Sequence, residues 1–141
     1  MTQNYVGLKV VTAWPQPANK DVDAIDGYAV KYADGYTSWS PKAVFEEAYK
    51  PSGKMDFSQA LFLAKQGMKI ARSGWNGKGL WLEVQRPDEH SKMTLPYLYI
   101  NYPDDALNTP GARCPWLASQ TDLMAEDWCV VDPEDGLWKN A

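Results

Sequence analysis

Two short alternating runs, Tyr28-Ala-Val-Lys-Tyr32 and Tyr36-Thr-Ser-Trp39, face each other across Ala33-Asp34-Gly35. Period-two alternation puts every second side chain of each run on a common face. A glycine at the third loop position accepts the positive φ that a three-residue hairpin turn demands. An antiparallel hairpin is therefore expected here. Ser40-Pro41 behind it reads as an N-cap followed by proline at the first helical position, with Val44, Phe45, Ala48 and Tyr49 on one stripe until Lys50-Pro51 stops the helix. Ahead of the hairpin, Leu8 to Ala13 is rich in β-formers and Pro15-Gln-Pro-Ala-Asn-Lys-Asp is a loop. Residues 1–50 are thus expected to form a module of their own, of ββα type, and Pro51-Ser-Gly-Lys54 to link it to a second unit.

That second unit opens at Asp56, which is placed to cap a helix with Gln59 closing a capping box three residues later. Phe57, Ala60, Leu61 and Ala64 repeat at helical spacing, and Gly67 suits a left-handed helix end. Strands are expected at Met68 to Ala71, Leu80 to Val84, Tyr97 to Tyr102 and Trp128 to Val131, with loop from Asp104 to Arg113. Residues 132–141 are acidic and contain glycine, as a tail or a last edge strand would. Helices packed on a small antiparallel sheet, behind the ββα module, make the fold class α+β.

At 141 residues and 45% hydrophobic content the chain is long enough to bury a real core. No stretch approaches the roughly eighteen uninterrupted apolar residues of a membrane span, and the first residues lack the basic start and apolar run of a signal peptide. The expectation is a soluble protein that stays in the cytoplasm where it is made. Cys114 and Cys129 match no zinc or redox spacing and read as reduced thiols. A net charge of −4 repels a phosphate backbone, so extended nucleic-acid contact is not expected, whereas a short anionic ligand in a local basic pocket is compatible with it. Seven Trp and eight Tyr supply large flat faces for interfaces or for stacking a planar ring. For Trp14, Trp39 and Trp138 the expectation is simple core filling.

The residues offer little for catalysis. His90, the one histidine, sits in the polar run Asp88-Glu-His-Ser-Lys92 without a neighbouring nucleophile on a strained turn, and no phosphate-binding glycine motif or metal-ligand spacing is present. Asp122, Glu126 and Asp127 lie close enough in sequence to bind a cation or work as an acid/base pair, but Asp122 follows Ser119 at a helix start, where capping is the default reading. No cofactor or metal is expected. Two loops are more distinctive. Gly74-Trp-Asn-Gly-Lys-Gly79 combines three glycines with one aromatic face and one cation, although a tight turn alone explains it. Cys114-Pro-Trp-Leu-Ala-Ser-Gln-Thr-Asp122 sets a proline-fixed Trp ahead of four polar side chains at a helix N-terminus. Together they raise ligand binding above generic packing.

The succession of Asp56-Phe57 opening an amphipathic helix, Ala71-Arg72-Ser73 leading into Gly74-Trp-Asn-Gly-Lys-Gly79, Pro115-Trp-Leu-Ala-Ser-Gln-Thr-Asp122, and Ala125-Glu-Asp-Trp128 strongly resembles the second Thoeris anti-defence family of bacteriophages, over roughly residues 54–131. The resemblance implies a sponge: a non-enzymatic protein of the infected host's cytoplasm that sequesters a cyclic ADP-ribose isomer intact, some relatives also holding cyclic dinucleotides. It further implies a homo-oligomer, typically a tetramer, with pockets where subunits meet. Carried over by position, it puts Trp75, Asn76, Gly77 and Lys78 in the first pocket loop, and Trp116, Ser119, Gln120, Thr121 and Asp122 in the second. On that reading a Trp face stacks on adenine, Asp122 and Asn76 take ribose hydroxyls or base edges, and Lys78 faces the diphosphate. The extra residues 1–50 look like a short module of other phage proteins, ending in Trp39-Ser-Pro-Lys. Two other readings stay open: a protein–protein module whose Trp-rich surface docks a host factor, and a hydrolase built on Asp122, Glu126 and Asp127.

Overall fold

A computed structural model describes residues 1–19, 23–75 and 78–132. The chain divides into two compact units, one over residues 1–50 and one beginning at Pro51. Each has its own antiparallel sheet, so the fold is α+β.

In the first unit the expected hairpin forms, from β2 (Gly27–Lys31) and β3 (Thr37–Pro41), with Gly35 at φ 91° in the turn and the Tyr36 amide donating to Asp34 Oδ1 at 2.9 Å. A third strand, β1 (Thr12–Pro15), pairs with β2, so the module has one more strand than expected, and it starts four residues later than the run at Leu8. Helix α1 (Lys42–Ala48) follows directly, but Ser40 does not cap it. Register with Tyr28 holds Ser40 in β3, and Pro41 is the N-cap, without a side-chain hydrogen bond. Tyr28 stacks on Phe45, and Phe45 on Tyr49, which fastens the helix to one face of the sheet. On the opposite face Trp14 and Trp39 flank buried Ala29 yet stay 42% and 37% exposed, so neither is the core filler the sequence implied. Three strands and seven helical residues offer too little surface to cover two indoles. Trp138 lies outside the described residues.

In the second unit α2 (Phe57–Lys65) begins with the expected capping box: Gln59 N–H donates to Asp56 Oδ1 at 2.9 Å and Asp56 N–H to Gln59 Oε1 at 3.0 Å. Asp56→Ala removes one acceptor for an orphan helix amide and is expected to cost about 1 kcal/mol, read as a lower urea midpoint with unchanged slope. The helix packs on a sheet of order β7-β6-β5-β4-β8, formed by β4 (Lys69–Arg72), β5 (Trp81–Gln85), β6 (Tyr97–Asn101), β7 (Arg113–Pro115) and β8 (Trp128–Val131). Small Ala60 and Ala64 let the helix sit close over Ile70, Leu82 and Val130, all buried together with Met55, Leu63 and Met68. Ile70 and Leu82 face each other in register at the centre, and each buried aliphatic side chain of this size contributes about 1.5–3 kcal/mol. Strand β7 falls where loop was expected to end; all three of its residues are exposed, and pairing with β6 alone recruits it as an edge. On the sheet's other face Asn101, 2% exposed, donates its amide to Glu83 Oε2 at 3.0 Å beside Trp81 Nε1 and the Tyr99 hydroxyl, each at 3.1 Å. Burial, then the bond to Glu83, pushes the Tyr99 hydroxyl pKa up.

The strand order positions the site. β8 comes last among these strands but lies beside β4, with Arg72 opposite Trp128. The loop leaving β4 and the segment entering β8 therefore meet at one end of the sheet, and the Ser73 amide bonds the Asp127 carbonyl at 3.1 Å. Residues 52–55 close the far side of β8 through Met55 paired with Trp128 and through the Val130 amide on Ser52 Oγ at 2.8 Å. No helix among the described residues is long and apolar enough to cross a membrane.

Candidate functional site

The polypeptide turns sharply out of β4 in a short 3-10 segment, Ser73–Trp75, and enters β8 by way of α3 (Gln120–Met124). Ser119 caps α3 as the sequence implied: its Oγ accepts the Asp122 amide at 3.1 Å, and the Asp122 carboxylate returns to the Ser119 amide. Ser119 Oγ also bonds Thr121 Oγ1 at 2.9 Å. Three of the four polar side chains assigned to this loop are thus engaged locally. The helix is one turn long, too short to present the strong anion-binding terminus expected of it.

The two loops touch through aromatic rings. Trp75 and Trp116, both half-buried, meet with centroids 6.5 Å apart at 66°. Each also packs edgewise against Trp128, at 5.5 and 6.1 Å, and Phe57 of α2 closes the cluster from 5.2 Å to Trp128 and 6.0 Å to Trp116. Trp128 is 0% exposed and donates its indole N–H to the Asp122 carbonyl at 3.0 Å. Edge contact between Trp75 and Trp116 leaves no slot between them for a base, so a planar ligand would stack on an outward face.

Beneath the rings lies one cation between two carboxylates. Arg72 Nη1 donates to Asp122 Oδ1 at 2.7 Å and Nε to Asp127 Oδ1 at 2.8 Å, while the Gly74 amide donates to Asp127 Oδ2 at 2.8 Å. The bond to Arg72 holds the Asp127 carboxyl below its ordinary pKa against the effect of burial. Burial pushes the Asp122 carboxyl up, but Arg72, Ser119 and the Trp75 indole together outweigh it and leave the pKa lowered. Bonds from Asp127 and then Asp122 raise the Arg72 pKa further. The Asp122 carboxylate is thus occupied by protein donors, and the structure gives it an organising position.

Of the sequence-derived site residues, Trp75, Trp116, Ser119, Thr121 and Asp122 are brought together here, and Gln120 is exposed beside them. Lys78 is exposed and without an ion pair among the described residues. Asn76 and Gly77 lie outside the described residues. Sequence reasoning missed Arg72 as a partner of both carboxylates, and Trp128 and Phe57 as the base of the cluster. The available signal was the charge that β4 places two residues after buried Ile70 and so on the same face of the sheet, where only an ion partner makes arginine tolerable. Among the described residues no three His, Cys, Asp or Glu groups lie close enough to hold a metal. A separate concavity of about 160 Å³, lined by Gln85, Tyr97, Tyr99, Arg113, Cys114 and Pro115, includes neither Trp75 nor Trp116.

The residues that build this end of the sheet lie within the region that comparison with known proteins matches. A sequence profile of the Thoeris anti-defense 2-like domain matches residues 55–131. The chain belongs to that family. Thoeris anti-defense 2 of Bacillus phage SP01 is 33% identical over 91 aligned positions, which take in 55% of this chain and 96% of the phage protein. The Thoeris anti-defense 2-like domain therefore runs from the bridge residue Met55 to the end of β8 and includes the whole aromatic cluster and its Arg72 network. Residues 1–54 of this chain, with the three-stranded module, precede the matched region. The family assigns the chain a role in phage anti-defence.

Proposed function

We propose that the Thoeris anti-defense 2-like domain, taken as residues 54–131, binds a cyclic ADP-ribose-type signalling nucleotide and holds it intact, as a homo-oligomer whose pockets are completed between subunits. One observation carries this reading: two loops separated by some forty residues converge so that Trp75 and Trp116 share one aromatic cluster, with exposed Lys78 bonded through its amide to the Trp75 carbonyl and exposed Gln120 opening α3. Outward indole faces suit the adenine, and Lys78 suits the diphosphate. A cyclic ligand loses little conformational entropy on binding, so tight retention needs no chemistry.

A non-catalytic role agrees with the electrostatics. A general acid needs a carboxyl whose pKa is raised toward neutrality, and both Asp122 and Asp127 are shifted the other way by Arg72, while Glu126 is exposed. The test is incubation of the purified protein with cyclic ADP-ribose isomers and cyclic dinucleotides, then filtration, heat denaturation and mass analysis of what is released. Recovery of intact nucleotide supports sequestration; an altered product would indicate a hydrolase, and no depletion of any compound would refute the reading. Lys78→Ala is expected to weaken retention about tenfold, the effect of one charge-assisted contact, without lowering the melting temperature.

A second reading concerns residues 1–50. Gln16 accepts both indole N–H groups, Trp14 on Oε1 at 3.1 Å and Trp39 on its carbonyl at 2.9 Å, so two exposed rings are held in fixed orientation. Such a surface suits docking of a host protein. Loss of a captured host protein in a Trp14→Ala, Trp39→Ala double variant, with nucleotide retention unchanged, would assign that role to this unit.

A further inference from the structure

Arg72 is the last residue of β4, and its guanidinium donates to both Asp122 and Asp127. An unbroken series of hydrogen bonds runs from the Gly74 amide to Asp127, from Asp127 to Arg72, and from Arg72 to Asp122, which in turn closes the cap on Ser119. The turn that carries Trp75 is thereby tied to the segment that carries Trp116. Gly74 leaves room for this network: a Cβ there would lie 2.7 Å from Asp127 Oδ2 and 3.1 Å from Arg72 Nη2, so the Asp127 carboxylate would have to shift. The planar fork is equally specific, because one ammonium on a flexible stem does not reproduce bonds to two carboxylates in fixed directions.

We infer that Arg72 is the positioning residue of the ligand site, acting through Asp127 and Gly74, and that it holds the two indole-bearing loops in one geometry before a ligand arrives. An ion network of this depth adds little net stability over well-packed apolar side chains, so what it uniquely supplies is a defined arrangement of the groups it joins. A site ordered in advance spends less of its binding free energy on ordering loops. The ligand-binding half of this inference rests on the nucleotide reading above; the geometric half does not.

The test uses the full chain with Arg72→Lys, which keeps the charge but not the fork, and Gly74→Ala, which keeps every charge but displaces Asp127. Three properties are compared with the parent: hydrogen exchange at the amide of residue 74, the near-ultraviolet circular dichroism of the indoles, and retention of cyclic ADP-ribose isomers. Both variants are expected to melt cooperatively while exchange at residue 74 accelerates at least tenfold, the indole signal falls, and retention drops tenfold or more. Parent-like exchange and dichroism in both variants would overturn the inference. So would full retention by variants whose indole signal has collapsed, or a loss of retention in step with melting temperature alone. If the parent retains no isomer, the nucleotide reading fails, and exchange and dichroism by themselves uphold or overturn the positioning.

Discussion

Trp128→Ala is expected to destabilise the second unit by about 3–5 kcal/mol, the largest effect of any single substitution in the cluster. The ring is fully buried and touches Phe57, Trp75 and Trp116, so truncation leaves a void against three aromatic neighbours at once. It also leaves the Asp122 carbonyl without its indole donor. The backbone at this residue pairs with Arg72 on one side and Met55 on the other, which prevents the strand from collapsing into the space. A domain of this size has about 5–15 kcal/mol of total stability, so the variant would sit near the folding threshold. Trp128→Phe separates the contributions: it keeps most of the apolar contact and loses the hydrogen bond, and is expected to cost about 1–3 kcal/mol. Urea unfolding of the three proteins checks both figures. A loss below about 1 kcal/mol for the alanine variant would mean that the cluster is not the core of this end of the sheet.

Arg72→Met is expected to destabilise by about 2–3 kcal/mol at neutral pH, somewhat below the usual cost of breaking a buried ion pair because the three side chains keep 15–31% of their exposure. Two carboxylates would then face each other without the cation between them. The loss should depend on pH with a definite sign. Asp122 and Asp127 have folded pKa values below their unfolded ones, so in the unfolded state they take up protons first as the pH falls. Their contribution is complete above the unfolded carboxylate range, near about pH 4, and is lost as the pH drops through the folded values. Arg72 itself, shifted further up, stays charged throughout that window. The stability gap between parent and variant is therefore expected to be widest at pH 7 and to close toward pH 3. Urea titrations at both pH values measure it, and a gap that does not change with pH would remove the ion network from the account.

Several features were legible in the sequence because they depend on residues a few positions apart. The hairpin turn at Asp34-Gly35, the reciprocal cap between Asp56 and Gln59, and the Ser119 cap on Asp122 each close a hydrogen bond within two to three residues. Strand β8 was legible from its apolar run at Trp128 to Val131, and the family from motifs lying between Asp56 and Trp128. In contrast, Ser40 has all the local credentials of an N-cap and loses the role to Pro41, because pairing with Tyr28 extends the strand past it. The exposed residues Arg113–Pro115 show no strand pattern of their own and become β7 only because β6 offers an unpaired edge.

Function follows the same division. Sequence by itself determined which residue types are available: two loops with a tryptophan each, a lysine in one and a polar run in the other, and the capping bonds that shape α3. Only the tertiary structure decided that Trp75 and Trp116 touch each other, that Trp128 supports both, and that Arg72 spans 50 residues to Asp122 and 55 to Asp127. The physical reason is strand order. A cap or a turn is stabilised by atoms that the chain brings together within one or two turns of backbone, whereas the Arg72 network exists because β8 adds to the sheet edge beside β4 and sets the end of one against the beginning of the other.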